Sequence, residues 1–239
     1  MTRLFPSHPT PEHWRKLLAD PDKHWQAGFS AHTLAHAWLA ANGFPPEVAA
    51  ALASANDPLL ADLVPVRGEP EFKVPLPGGK RASQNDIFVL ARSASGPVAI
   101  MVEGKVDESF GPILKDWLQA TDDNGKRSPD NEPGSGKALR LDFLLRTVGL
   151  AAKPDGATRY QLLHRAASAV LTGEQQRAVA AILLVHSFSE RNSGWDDFKR
   201  FCELFGTTPT AGRLERLPGK QAVPLFAVWV AGDRSFRKK

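Results

Sequence analysis

A single cysteine, Cys202, is all the thiol chemistry that this chain of 239 residues carries. That count excludes an intramolecular disulfide and a cysteine-rich zinc site, and it suits a reducing compartment. No apolar run approaches the ~20 residues that span a bilayer. The opening Met1-Thr2-Arg3-Leu4-Phe5-Pro6 has no apolar signal core, so the chain reads as cytoplasmic and without a membrane partner. Strong charge is missing as well: the net charge is +4, which is compatible with a phosphate-rich partner but does not demand one. There is no internal repeat. Two common catalytic signatures are also absent. Pro133-Gly134-Ser135-Gly136-Lys137 has the look of a phosphate loop, but Ala138 replaces the Ser/Thr and Asn131 stands where the first glycine belongs. No G-x-S-x-G nucleophile elbow occurs, which argues against an α/β-hydrolase.

What is present is a hydrophobic content of 42% in a length suited to one sizeable α/β domain with elaborations. Ser30 to Asn42 reads as a helix with Ser30 as N-cap, Gly43 as stop and Pro45-Pro46 beyond. Glu47 to Ala55 reads as a second helix, and Asp57-Pro58 opens a short third. A strand is expected over Glu71–Leu76. Further helices are expected over about Ile113–Ala120, Leu139–Val148, Tyr160–Thr172 (stopped by Gly173) and Trp195–Phe205. Val179–Val185 is a short, wholly apolar run that fits a central strand, and Val223–Val230 fits a last one. Residues from about 121 to 137 are polar and turn-rich, and they read as a loop insertion that could lie over an active site.

The most informative stretch runs from Asp86 to Lys105. Asp86 opens the apolar segment Ile87–Leu90, and Glu103-Gly104-Lys105 closes the next, Val98–Val102. Between them, Ser93–Pro97 fits a hairpin loop. Folded back antiparallel, the hairpin brings Asp86 near Glu103, while alternation puts Glu103 and Lys105 on one face and Gly104 on the other. Two carboxylates with free oxygen positions can hold Mg²⁺, and a lysine beside the ion can orient the attacking water. The bland reading is a charged cluster sealing a sheet end, with Lys105 neutralising two acids. Acids next to an apolar run are costly without a compensating cation, which favours the chemical reading.

On the helix from Tyr160, Gln161, His164, Arg165 and Ser168 form one polar stripe. Gln161 could orient the water or Lys105, and His164 and Arg165 could contact phosphate. Glu47, Glu69 and Glu71 are candidates for an additional metal-site acid, Glu47 being better explained as a first-turn carboxylate. Asp107 and Glu108 read as ordinary loop acids. His32 and His36 have a spacing that zinc sites use but lack supporting ligands, and His186 reads as a hydrogen-bonded boundary histidine.

Asp86 followed by Glu103-Gly104-Lys105 resembles the PD-(D/E)XK nuclease superfamily, with Asn85 in place of the usual proline. The segment Tyr160–Arg165 is similar to the helix that follows the lysine motif in such nucleases. The resemblance implies an α/β restriction-endonuclease-like αβββαβ core, a mixed sheet flanked by helices, within residues from about 45 to 190. The expected organisation is a helical N-terminal extension over 1–66 packed on a core over 67–239. It further implies a Mg²⁺-dependent nuclease, with Mn²⁺ as a possible substitute. Asp86, Glu103 and the Gly104 carbonyl would hold the metal, and Lys105 would position the water. The partner would be nucleic acid, DNA more than RNA, and a homodimer is possible. The alternative is an inactive nucleic-acid-binding or protein-interaction module on the same fold.

Overall fold

The computed structural model describes residues 3–120 and 136–239. Most of the expected polar insertion, residues 121–135, lies outside the described residues. Its last two residues, Gly136 and Lys137, begin a helix.

Eight α-helices and six strands are described. Four short helices come first: α1 (Pro11–Arg15), α2 (Pro21–His24), α3 (Ser30–Ala41) and α4 (Pro46–Ala53). Strands β1 (Val64–Val74), β2 (Ser83–Ser93) and β3 (Gly96–Lys105) follow, then α5 (Leu114–Gln119), α6 (Gly136–Thr147) and α7 (Tyr160–Gln175). The chain closes with β4 (Ala180–Ser187), α8 (Trp195–Glu203), β5 (Glu215–Leu217) and β6 (Leu225–Ala231). The six strands form one open mixed sheet in the order β1-β2-β3-β4-β6-β5. The β1-β2-β3 meander is antiparallel, β3, β4 and β6 run parallel, and β5 adds an antiparallel edge. No helix among the described residues is long and apolar enough to cross a membrane.

Side-chain alternation explains the two cores. Even-numbered Phe88 on β2 and odd-numbered Met101 and Leu183 on β3 and β4 face α6, α7 and α8. Ile87, Ile100 and Ile182 face the other way, onto Leu34 and Trp38 of α3 and Val48 and Leu52 of α4. The central strands β3 and β4 are buried on both faces, which is why both read as continuous apolar runs.

Several boundaries differ from the sequence reading for identifiable reasons. β1 starts at Val64 rather than Glu71, so the strand straddles the expected boundary at residue 66; as an edge strand it tolerates Pro65 and Pro70. The hairpin is tighter than expected, since Ser93 pairs with Gly96 and only Ala94 and Ser95 turn. Phe29, not Ser30, occupies the N-cap of α3. Gly173 does not stop α7; it lies within the helix, where a Cβ would stand 3.3 Å from Val223 and 3.5 Å from Ala181, so a small residue is needed for close packing. β5, three residues long, is too short to show a period.

Candidate active site

The sheet places the acids in a row. The β1–β2 register pairs Pro70 with Ile87 and Phe72 with Asn85, which sets Glu71 opposite Asp86. The β2–β3 ladder ends at Ile87–Val102, and the next step sets Asp86 opposite Glu103. Neither of these two steps is itself part of the ladder. Glu71 has φ +53°, a left-handed conformation that a non-glycine residue rarely takes in a strand and that often marks a functional site. On the other side, Oδ2 of Asp86 accepts the Gly104 N–H at 2.7 Å. The carboxylate thus does for β3 what a ladder carbonyl would have done. Gly104 allows this approach: a Cβ there would stand 3.0 Å from Leu34 and 3.4 Å from the same Asp86 oxygen.

Glu103 is the hub. Its Oε1 accepts from Lys105 Nζ at 2.8 Å and from Gln161 Nε2 at 2.8 Å, and its Oε2 accepts from Arg165 Nε at 2.5 Å. Lys105 Nζ also donates to Gln161 Oε1 at 3.2 Å and sits 4.7 Å from the Phe110 ring centre. Glu103, Lys105 and Arg165 are all buried. The polar stripe of α7 therefore faces the end of the sheet rather than solvent. His164 Nδ1 shares a 2.8 Å hydrogen bond with Ser83 Oγ, and Ser168 is buried with its hydroxyl donating to the His164 carbonyl.

The protonation pattern follows from this wiring. Burial alone would raise Glu103, but the charges and hydrogen bonds of Arg165 and Lys105 outweigh it and hold its carboxyl at about 2. Burial pushes Asp86 well above the usual carboxylate range, and the charges of Glu103 and Glu71 add to the rise. Glu71 is also raised, by burial foremost, although the Gln84 amide bonded to it at 2.5 Å opposes the shift. Burial, reinforced by Arg165, pushes His164 well below the usual imidazole range, so it is neutral at pH 7.

A cavity of about 520 Å³ opens over these acids. Glu71, Asp86, Glu103 and Glu108 line it together with Lys105, Gln161 and Arg165. Lys23, His24, Phe29 and Ser30 form another wall, so the N-terminal helices contribute to the site. Glu108, expected to be an ordinary loop acid, is the residue that sequence reasoning missed. Its Oε2 accepts from the Val106 N–H at 3.2 Å, while its Oε1 is buried with no hydrogen-bond partner among the described residues. Only its place three residues after the lysine could have drawn attention to it. The other candidate acids fall elsewhere. Glu69 pairs with Arg67 near the surface, and Glu47 accepts from His186 Nε2 at 3.0 Å. His186 is fixed on its other nitrogen by Trp38 Nε1 at 3.2 Å, as a boundary histidine should be. Asp107 is taken up by Ser189 and Arg237.

Among the described residues, no three His, Cys, Asp or Glu side chains come together as a ready-made metal centre. The donors nonetheless fit a hard cation that relies on substrate oxygens for part of its shell, as Mg²⁺ does. A carboxylate offers about four lone-pair positions. Asp86 spends one of them on Gly104, Glu71 spends one on Gln84, and Glu108 has an orphaned oxygen. With all four carboxyl groups ionised, the cavity would hold one more negative charge than Lys105, Arg165 and the rim residue Lys23 supply positive ones. The raised Asp86 is the protonic answer to that excess, and a divalent cation would answer it equally well.

No curated protein and no solved structure matches the chain. The sequence model of the family described as a domain of unknown function, DUF6946, matches residues 7–234, almost the whole chain, and the protein belongs to that family.

Proposed function

We propose that this protein is a metal-dependent nuclease with a restriction-endonuclease-like core, hydrolysing phosphodiester bonds of nucleic acid, DNA more than RNA. The observation that carries this reading is the convergence of Asp86, Glu103 and Lys105 at one cavity lined by four carboxyl groups. The order α3-α4, β1-β2-β3, α7, β4 supports the αβββαβ core.

Asp86 and Glu103, with the Gly104 carbonyl and the nearby Glu71 and Glu108, are the groups that would hold Mg²⁺ or Mn²⁺. When bound, the ion would polarise a phosphoryl oxygen and offset the charge that develops on it. The protein's own groups do the rest. Lys105 is held between Glu103 and Gln161, which fixes its ammonium at the cavity wall, where it orients the attacking water. Gln161 bridges Glu103 and Lys105, so it positions both. Arg165 keeps Glu103 ionised and turned toward the cavity. Basic groups at the rim, Lys23 among them, would hold the sugar-phosphate backbone without reading sequence.

The alternative, an inactive nucleic-acid-binding module on the same fold, rests on one specific observation: Glu103 already spends both oxygens on Lys105, Gln161 and Arg165. Thermal melting with and without Mg²⁺ or Mn²⁺ separates the two. A nuclease site gains stability from the ion as from any ligand of the native state, and an inert module does not.

A further inference from the structure

A second cavity, of about 510 Å³, shares Lys105, Gln161 and Arg165 with the first but has no acid among its described lining residues. Arg81, Ser83, Ser109, Arg140 and His164 are its other polar lining residues, and Phe110 and the stacked rings of Trp117 and Tyr160 line it as well.

Arg140 is the unusual member. It is 8% exposed, and its guanidinium donates from Nε to the Pro77 carbonyl at 2.8 Å and from Nη2 to the Leu76 carbonyl at 3.2 Å, and it also bonds the Tyr160 hydroxyl. No carboxylate among the described residues pairs with it, whereas buried Arg165 has Glu103. A buried cation that finds no counter-charge among the described residues is costly as it stands there, and the cost falls when an anion enters beside it. His164 adds no repulsive acid, being neutral and tied to Ser83. Arginine's planar fork matches phosphate oxygens in particular. The carboxylate cavity, by contrast, repels an anion unless a metal ion is present.

We propose that this second cavity is a phosphate-binding pocket, which in a nucleic-acid substrate takes the phosphate neighbouring the one over the carboxylates. Its assignment to a nucleic-acid chain rests on the nuclease reading; its anion preference does not. Division of labour follows: one cavity acts on a phosphate, and the other holds the next one in register, with Lys105 and Gln161 as the wall between.

Calorimetric titration of inorganic phosphate in EDTA tests the pocket. The wild-type protein should bind saturably. Arg140→Gln should weaken binding roughly tenfold to a hundredfold, the loss expected of a charge-assisted hydrogen bond. Because Arg140 also ties down two carbonyls, its loss can disturb the fold; Ser109→Asp, at an exposed position on the cavity wall, places a repelling carboxylate there without touching the core and should weaken binding as much. Asp86→Asn should leave phosphate affinity intact. No phosphate binding by the wild type, or binding unchanged in Ser109→Asp, overturns the pocket. Phosphate binding with the expected dependence, in a protein that cuts no nucleic acid, upholds the pocket and overturns the nuclease reading. Cleavage with a KM unaffected by Ser109→Asp does the reverse.

Discussion

Arg165 donates from Nε to Oε2 of Glu103 at 2.5 Å, and both side chains are almost fully buried. An ion pair in that setting adds little net stability, but stranding one partner is expensive. Arg165→Met should therefore destabilise the protein by up to about 3–5 kcal/mol, the usual cost of an uncompensated buried charge, less what Lys105 at 2.8 Å from Glu103 still offsets. Denaturant unfolding at pH 7 measures it. The double variant Arg165→Met with Glu103→Gln should recover only part of the loss, because the buried Lys105 ammonium then loses its own carboxylate partner at 2.8 Å.

Asp86 behaves in the opposite way. Its raised pKa means that ionising it costs folding free energy at neutral pH. Asp86→Asn keeps an oxygen for the Gly104 N–H and removes the repulsion from Glu103 and Glu71, so it should stabilise the metal-free protein by about 1 kcal/mol. Melting in EDTA checks this. The advantage should shrink as pH falls through the folded-state pKa of Asp86, because protonation then relieves the wild type in the same way.

The histidines set a different pH dependence. His164 and His186 are both depressed from 6.5, by burial above all. An unfolded chain binds their protons more readily than the folded one, so stability is full above about pH 6.5 and falls as pH drops below it. Glu103 adds a second loss in acid. Held at about 2 against 4.5 when unfolded, it contributes stability above 4.5 that disappears as pH falls toward 2. Melting temperatures across pH 4–8 should show the first decline, and His186→Asn should flatten part of it.

Gly104→Ala tests the close approach of β3 to Asp86 and α3. The new methyl group would meet Leu34 at 3.0 Å and the Asp86 carboxylate at 3.4 Å. Overpacking of this kind costs roughly 1–3 kcal/mol. It should also reduce metal-induced stabilisation, because the methyl group presses on Leu34 and crowds the Asp86 carboxylate. A Gly104→Ala protein with unchanged melting and an unchanged metal response would show that the approach is not needed.

The sequence disclosed the parts of this molecule that obey a simple period. β2 and β3 alternate cleanly or run apolar, so the hairpin and the approach of Asp86 to Glu103 were legible from spacing, while the register waited on the two-residue turn that pairs Ser93 with Gly96. α7 was legible for the same reason, and with it the placing of Gln161 and Arg165 on one face. What stayed hidden depends on tertiary contacts. Nothing local marks Glu71 as a residue with positive φ opposite Asp86, and nothing local separates Glu108 from the neighbouring Asp107. Gly173 looked like a helix stop because the packing of Ala181 on β4 and of Val223, just before β6, against it is a tertiary contact that no local pattern shows. Phe29 and Lys23 gave no sign that the N-terminal helices wall the cavity, since their own segment has no period.

The most direct test of the account is cleavage of single- and double-stranded DNA and RNA with Mg²⁺ or Mn²⁺ by the wild type beside Asp86→Asn and Lys105→Ala. Asp86→Asn is the informative control, because its fold should be at least as stable as the wild type's. The account predicts metal-dependent cutting by the wild type, strongest on DNA and lost in both variants. Absence of cutting on every substrate, or cutting that survives in Asp86→Asn, would contradict it.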